Sequence, residues 1–140
     1  MDKMLLKFCA KSANEQFART CVSAFILPLN PSVEEIGDVK TAVSEAVTNA
    51  VVHAYPKNDS GEVEIACEII DNELHITVTD YGMGIENVND ALEPFYSTKI
   101  AEERSGMGFT IMQTFMDELS VESKVGLGTK VYMVKRFNVS

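Results

Sequence analysis

The sequence predicts an α/β sandwich: a mixed, mostly antiparallel β-sheet with helices packed on one face. Three observations predict it. Runs at 62–70, 73–79 and 129–137 are rich in β-branched and apolar residues and bounded by turn residues, so they read as strands. Two long apolar helical segments, 32–54 and 107–116, stand apart from those strands instead of alternating with them. Asp71-Asn72 and Val125-Gly126-Leu127-Gly128 are short turn signals that join neighbouring strands as hairpins.

In chain order, Met4 to Ala10 has the apolar content of a first strand. Asn14 to Leu27 places Phe17, Cys21, Ala24 and Phe25 on one face, which predicts an amphipathic helix ending before Pro28. Ser32 with Glu35 three residues later is a capping-box pattern, and it opens a helix running through Ala54. Pro56 and Asn58-Asp59-Ser60-Gly61 end that helix in a turn. The hairpin Glu62 to Ile70 and Glu73 to Thr79 follows. Asn87 to Leu92 suits a short helix. Glu93 to Ser105 lacks sustained periodicity and reads as a mobile loop. Met107 to Met116 is a second long apolar helix, and Leu119 to Lys124 pairs with Thr129 to Phe137 as a closing hairpin.

Composition bounds the function. The 140 residues fit one domain spanning 1–140, with no repeat, linker or low-complexity tract, and 46% apolar residues are enough for a real core. No segment is apolar enough to span a bilayer, and Leu5-Leu6-Lys7-Phe8-Cys9 is too short for a signal peptide. Cys9, Cys21 and Cys67 lack metal-ligand spacing and read as reduced thiols of a cytoplasmic protein. With a net charge of −9 and no basic run, neither nucleic acid nor membrane is expected as a partner. Such a charge suits a basic protein partner by steering, and equally suits a solvated surface.

Glu45, Asn49 and His53 stand four residues apart on the long helix and so share a face. On a helix otherwise built largely of Ala and Val, a buried carboxylate and amide need partners. Asn49 can offer its carbonyl oxygen to Mg²⁺, a hard cation that keeps its waters. Glu45, one turn earlier, can take a proton from an attacking hydroxyl or water. His53, near the helix end, suits a packing or capping role better than a chemical one. Asp80-Tyr81-Gly82-Met83-Gly84 puts a carboxylate at a strand end, where it can accept a hydrogen bond from an adenine amino group. Gly82 and Gly84 would let the backbone approach the base. Taken alone, this pattern is also an ordinary turn. Gly106-Met107-Gly108 opens a helix whose N-terminal N–H groups suit phosphate oxygens, with Lys99 and Arg104 just upstream as cations. Gly128-Thr129 precedes the last strand.

The four pieces in this order resemble the ATP-binding fold shared by gyrase, the Hsp90 chaperones, histidine kinases and MutL, the Bergerat-type fold. Within that family, Ser44-Glu45-Ala46-Val47-Thr48-Asn49-Ala50 and Glu103-Arg104-Ser105-Gly106-Met107-Gly108-Phe109-Thr110-Ile111-Met112 are most similar to the small anti-sigma serine kinases of bacterial sporulation. Phe17-Ala18-Arg19 and Phe115-Met116-Asp117 agree. Nothing follows Ser140 and the first strand starts almost at Met1, so the expectation is a nucleotide domain alone, without the extra domains of gyrase or a sensor kinase. The lid stretch Pro94-Phe95-Tyr96-Ser97-Thr98-Lys99-Ile100 and the turn Val125-Gly126-Leu127 depart from the familiar pattern.

The resemblance implies a homodimer that binds Mg²⁺ and ATP, holds a sigma factor of the sigma-F type inactive, and phosphorylates a serine of a small anti-anti-sigma protein. It implies that Asp80 reads adenine with Gly82, Gly84 and Thr129, the last through water, and that Asn49 holds Mg²⁺. Thr98, Lys99, Arg104, Ser105, Gly106, Met107 and Gly108 would surround the phosphates, and Glu45 would be the base. Arg19 would contact protein partners; by itself it reads as a solvated charge. The same residues leave room for a stress-response anti-sigma kinase, an ATP-gated sigma clamp without turnover, and a plain ATPase.

Overall fold

A computed structural model of the chain describes residues 2–55, 61–92 and 108–138. Five strands form one sheet: β1 (Asp2–Cys9), β2 (Glu62–Ile70), β3 (Glu73–Asp80), β4 (Glu118–Lys124) and β5 (Gly128–Arg136). Their spatial order is β1-β2-β3-β5-β4. The sheet, expected to be mixed and mostly antiparallel, is antiparallel at every described pairing.

Side-chain alternation sets the faces. Val63, Ile65, Cys67 and Ile69 of β2 are buried, as are Leu74, Ile76 and Val78 of β3 and Val131 and Met133 of β5. The same parity on β3 reaches Asp80, and on β5 it reaches Thr129. A row of buried apolar residues therefore ends in a carboxylate facing the helix side, where continued alternation would place another aliphatic group. Asp71, at φ 55, makes the β2–β3 turn. On the opposite face, His75 bonds Tyr132 (2.6 Å) and Glu73 (3.1 Å), and Arg136 donates to Glu73 (2.9 Å) and pairs with Glu118.

The helices are α1 (Ala13–Phe25), α2 (Val33–Asn49), the one-turn α3 (Val88–Ala91) and α4 (Gly108–Phe115). At the start of α2 the Glu35 N–H donates to Ser32 Oγ (3.0 Å) and the Ser32 N–H to Glu35 Oε1 (2.9 Å), the reciprocal box the sequence predicts. Val39, Ala42, Val43, Ala46 and Val47 make the buried stripe of α2. Each fully buried valine contributes about 1.5–3 kcal/mol relative to an exposed one.

Two expectations are corrected. The face of α1 that packs inward is Ala18 and Val22, continued by Ile26 beyond its end, while Phe17 is 51% exposed. Ala18, Val22 and Ile26 share one core cluster with the buried stripe of α2. The long helix does not stay α to Ala54: Ala50–Ala54 forms a π turn, closed by the Tyr55 N–H on Ala50 O (3.3 Å). The helix thus changes its hydrogen-bond spacing just past Asn49, within the turn that carries His53. The expected loop from Glu93 to Ser105 and the turn at 56–60 lie outside the described residues. No helix among the described residues is long and apolar enough to cross a membrane.

Candidate nucleotide site

Asp80 is 8% exposed. Its Oδ1 accepts the Gly82 N–H (3.0 Å), and the Thr129 backbone lies beside the same carboxylate. Burial pushes its pKa up, and these two backbone neighbours partly offset the effect. A carboxylate that accepts one backbone N–H on Oδ1 keeps lone pairs for a further donor, such as an exocyclic amine.

Three consecutive N–H groups of the turn after β3 have assigned acceptors. Tyr81 donates to Tyr55 Oη (2.7 Å), Gly82 to Asp80, and Met83 to Ala54 O (3.2 Å). A side chain at Gly82 would run into the Ala54 carbonyl, so this turn sits flush on the end of the π segment. Gly84 adopts φ 78, and a Cβ there would strike the Lys124 carbonyl. The β4–β5 hairpin secures the other flank, where the Gly126 N–H donates to Met83 O (2.9 Å).

Thr129 belongs to a small hydroxyl cluster. Ser123 Oγ lies 2.8 Å from Thr129 Oγ1, donates to Gly128 O (3.0 Å) and accepts the Ile85 N–H (2.7 Å). With the serine proton given to Gly128, the Thr129 hydroxyl donates to Ser123, which leaves its own lone pairs as acceptors toward the site. A cavity of about 220 Å³ opens at this end of the sheet, lined by Asp80, Thr129, Ser123, Leu127, Tyr81 and Lys124 among others. Neither Glu45 nor Asn49 lines it.

Those two form a second part of the site. Both are half-buried on α2. A Cβ at Gly108, the first residue of α4, would lie 3.2 Å from Asn49 Oδ1 and 3.4 Å from Glu45 Oε2. The start of α4 therefore meets the Glu45–Asn49 stripe closely enough that a side chain at Gly108 would press on both polar ends. One neutral amide oxygen beside a carboxylate fits Mg²⁺, which takes few protein ligands and shares itself with phosphates.

Arg19 lies on α1 between the two helices, with Nη1 3.4 Å from Glu15 Oε1 and 3.5 Å from Ser44 Oγ. Ser44 immediately precedes Glu45, and Thr48 Oγ1 reaches Glu15 (3.4 Å) and Ser44 O (2.7 Å). Of the remaining expected site residues, Thr98, Lys99, Arg104, Ser105, Gly106 and Met107 lie outside the described residues. Sequence reading missed Ser123, Ala54 and Tyr55. Ser123 was within reach: Leu119 and Val121 alternate inward on β4, and the next inward position is a serine directly opposite Thr129.

The chain has relatives among known proteins. A family model described as a histidine kinase-like ATPase domain matches residues 10–135. The anti-sigma F factor of Clostridium beijerinckii is 51% identical over 138 residues, which are 99% of this chain and 96% of that protein. The anti-sigma F factor of Caldanaerobacter subterraneus subsp. tengcongensis is 58% identical over 134 residues, 96% of this chain and 93% of its own length. Among solved structures, the RsbU and RsbW domains of Rv1364c from Mycobacterium tuberculosis align with a TM-score of 0.70 at 18% identity, over 98% of this chain and 32% of that longer one. The catalytic domain of histidine kinase ThkA aligns at 0.61 and 14% identity, over 98% and 97% of the two chains. At those identities the structural likeness speaks to the fold, and the sequence relatives speak to the family. The chain belongs to the histidine kinase-like ATPase family and, within it, to the anti-sigma F factors.

Proposed function

We propose that this chain, acting in the cytoplasm as a single ATP-binding domain over 1–140 and as a homodimer, holds a sigma-F-type sporulation sigma factor inactive when Mg²⁺ and ATP are bound. In the same reading it transfers the γ-phosphoryl group to a serine of a small anti-anti-sigma protein. The observation that carries the reading is the convergence of Glu45 and Asn49 on Gly108, with the buried Asp80 acceptor at the other end of the site. The names of the relatives support the sigma-factor part.

Asp80 accepts the adenine amino group, Gly82 and Gly84 bring backbone against the base, and Thr129 accepts through water. Asn49 supplies an amide oxygen to Mg²⁺. The metal, when bound, neutralises charge on the β and γ phosphates. Glu45 orients the serine hydroxyl and takes its proton as the O–P bond forms and the bond to the β-phosphate oxygen breaks, leaving ADP. Thr98, Lys99, Arg104 and the Ser105–Gly108 backbone hold the phosphates. Arg19, anchored to Glu15 and Ser44, contacts the protein partners.

Incubation of the purified protein with Mg²⁺, γ-labelled ATP and the small proteins of its source lysate tests the proposal. Label mapped to a serine of one small protein supports it. ATP retained beside a copurifying sigma factor, with no labelled protein, contradicts the kinase step. Failure to bind ATP contradicts the whole reading.

A further inference from the structure

We infer that Tyr55 is a positioning residue for base recognition, fixing the Asp80 turn through its hydroxyl; the inference rests on the proposed ATP reading. The ladders of β3 end at Asp80, which pairs with Val63 on one side and Thr129 on the other. Tyr81 is the first residue past them, so its N–H has lost its strand partner and would need another. Tyr55 Oη accepts that N–H at 2.7 Å and donates its own proton to Glu62 O at 2.9 Å. One hydroxyl thus ties the residue after β3 to the first residue of β2, from a position directly after the π turn.

The ring is seated as firmly as the hydroxyl. A Cβ at Gly61 would come within 2.5 Å of its carbons, so the ring occupies the space that only a glycine leaves. The neighbouring Ala54 carbonyl abuts Gly82 and accepts the Met83 N–H. The two residues at the end of the helix therefore fix Tyr81 and Met83, and the Gly82 N–H between them has one direction left, toward Asp80 Oδ1. Tyr55 does not line the cavity beside Asp80, so its effect on a base there runs through the turn. It sets the orientation of the carboxylate that meets the base. Burial raises the pKa of its hydroxyl further above neutrality, and the protonated phenol is the form that donates to Glu62.

The test is calorimetric binding of ATP, GTP and tripolyphosphate to the full chain, its Tyr55→Phe variant and its Gly61→Ala variant, with thermal melts as a folding control. Tyr55→Phe keeps the ring and removes both hydrogen bonds. Its ATP affinity is expected to fall about tenfold, the scale of one lost hydrogen bond. Tripolyphosphate and GTP binding should hold, so the preference for adenine narrows by the same factor. Gly61→Ala, which displaces the ring while retaining the hydroxyl, should narrow it likewise. An unchanged ATP-over-GTP ratio in Tyr55→Phe overturns this inference and leaves the nucleotide reading standing. Equal weakening of all three ligands also overturns it, since that is what general loosening of the fold would do. A wild-type chain that binds none of them overturns the nucleotide reading and this inference with it.

Discussion

At the end of β3 the candidate site is made largely of backbone, whereas at the end of α2 it is made of side chains. Asp80 is held by the Gly82 N–H beside the Thr129 backbone, the turn beyond it rests on the Ala54 carbonyl and Tyr55, and the hairpin at Gly126 closes the far flank. Glu45 and Asn49 instead project from an α-helix toward Gly108. The first region is specified by the same pairing that makes the sheet, so it exists only as well as the sheet exists. The second depends on two functional groups that could be exchanged while the helix remains. Recognition and chemistry are thus expected to be separable by mutation, and the variants below probe that division from the largest effect to the smallest.

Glu45→Gln removes the base and keeps the shape. Phosphoryl transfer should slow by about 10²–10⁴ while ATP affinity stays near that of the parent; single-turnover transfer beside a binding isotherm measures both. Asp80→Asn should do the reverse, weakening ATP binding by roughly 10–100-fold, the scale of a hydrogen bond to a charged group. It should also raise the Tm of the nucleotide-free protein, because it removes a buried carboxylate that recognition needs and stability does not. The sign follows from burial raising the Asp80 pKa above its ordinary 3.8. Between those two values the folded chain binds more protons than the unfolded one, so Asp80 makes stability fall as pH rises through that window. The difference between melts of the parent and Asp80→Asn across that range should show this slope, since other carboxylates such as Glu35, whose pKa the fold lowers, titrate in both.

Much of this division could be read from the sequence. The strand Glu62–Ile70 and the capping box at Ser32 and Glu35 lie where patterning placed them, because alternation and caps are local signals. Glu45, Asn49, Asp80, Gly84 and Gly108 stood out because each departs from what its element would otherwise contain. The inward face of α1 did not. Phe17 is the larger apolar group, yet Ala18 and Val22 are the buried ones, and which face meets a neighbouring helix is not written in a single helix. The π turn and the Tyr55 contact were also illegible. Both arise where the end of α2 meets strands that come later in the chain, and nothing in Ala50–Tyr55 alone announces an acceptor for Tyr81.

Two smaller effects sharpen the comparison. Ser123→Ala removes the hydroxyl that joins Thr129, Gly128 and Ile85, and should weaken ATP binding by about one hydrogen bond's worth, near 1 kcal/mol, while transfer from bound ATP proceeds at the parent rate. Ser32→Ala breaks the capping box at the opposite end of α2 from Asn49. It should cost about 1 kcal/mol of stability by denaturant titration and leave ATP affinity unchanged.

The most direct test of the two-part site places Glu45→Gln and Asp80→Asn side by side, measuring ATP affinity and single-turnover transfer to the serine substrate at saturating ATP for each. The account predicts opposite losses: transfer in Glu45→Gln with affinity kept, and affinity in Asp80→Asn with transfer from the saturated complex largely kept. If both variants lose the same quantity, or Glu45→Gln transfers phosphate at the parent rate, the division between a recognising end and a reacting end is wrong.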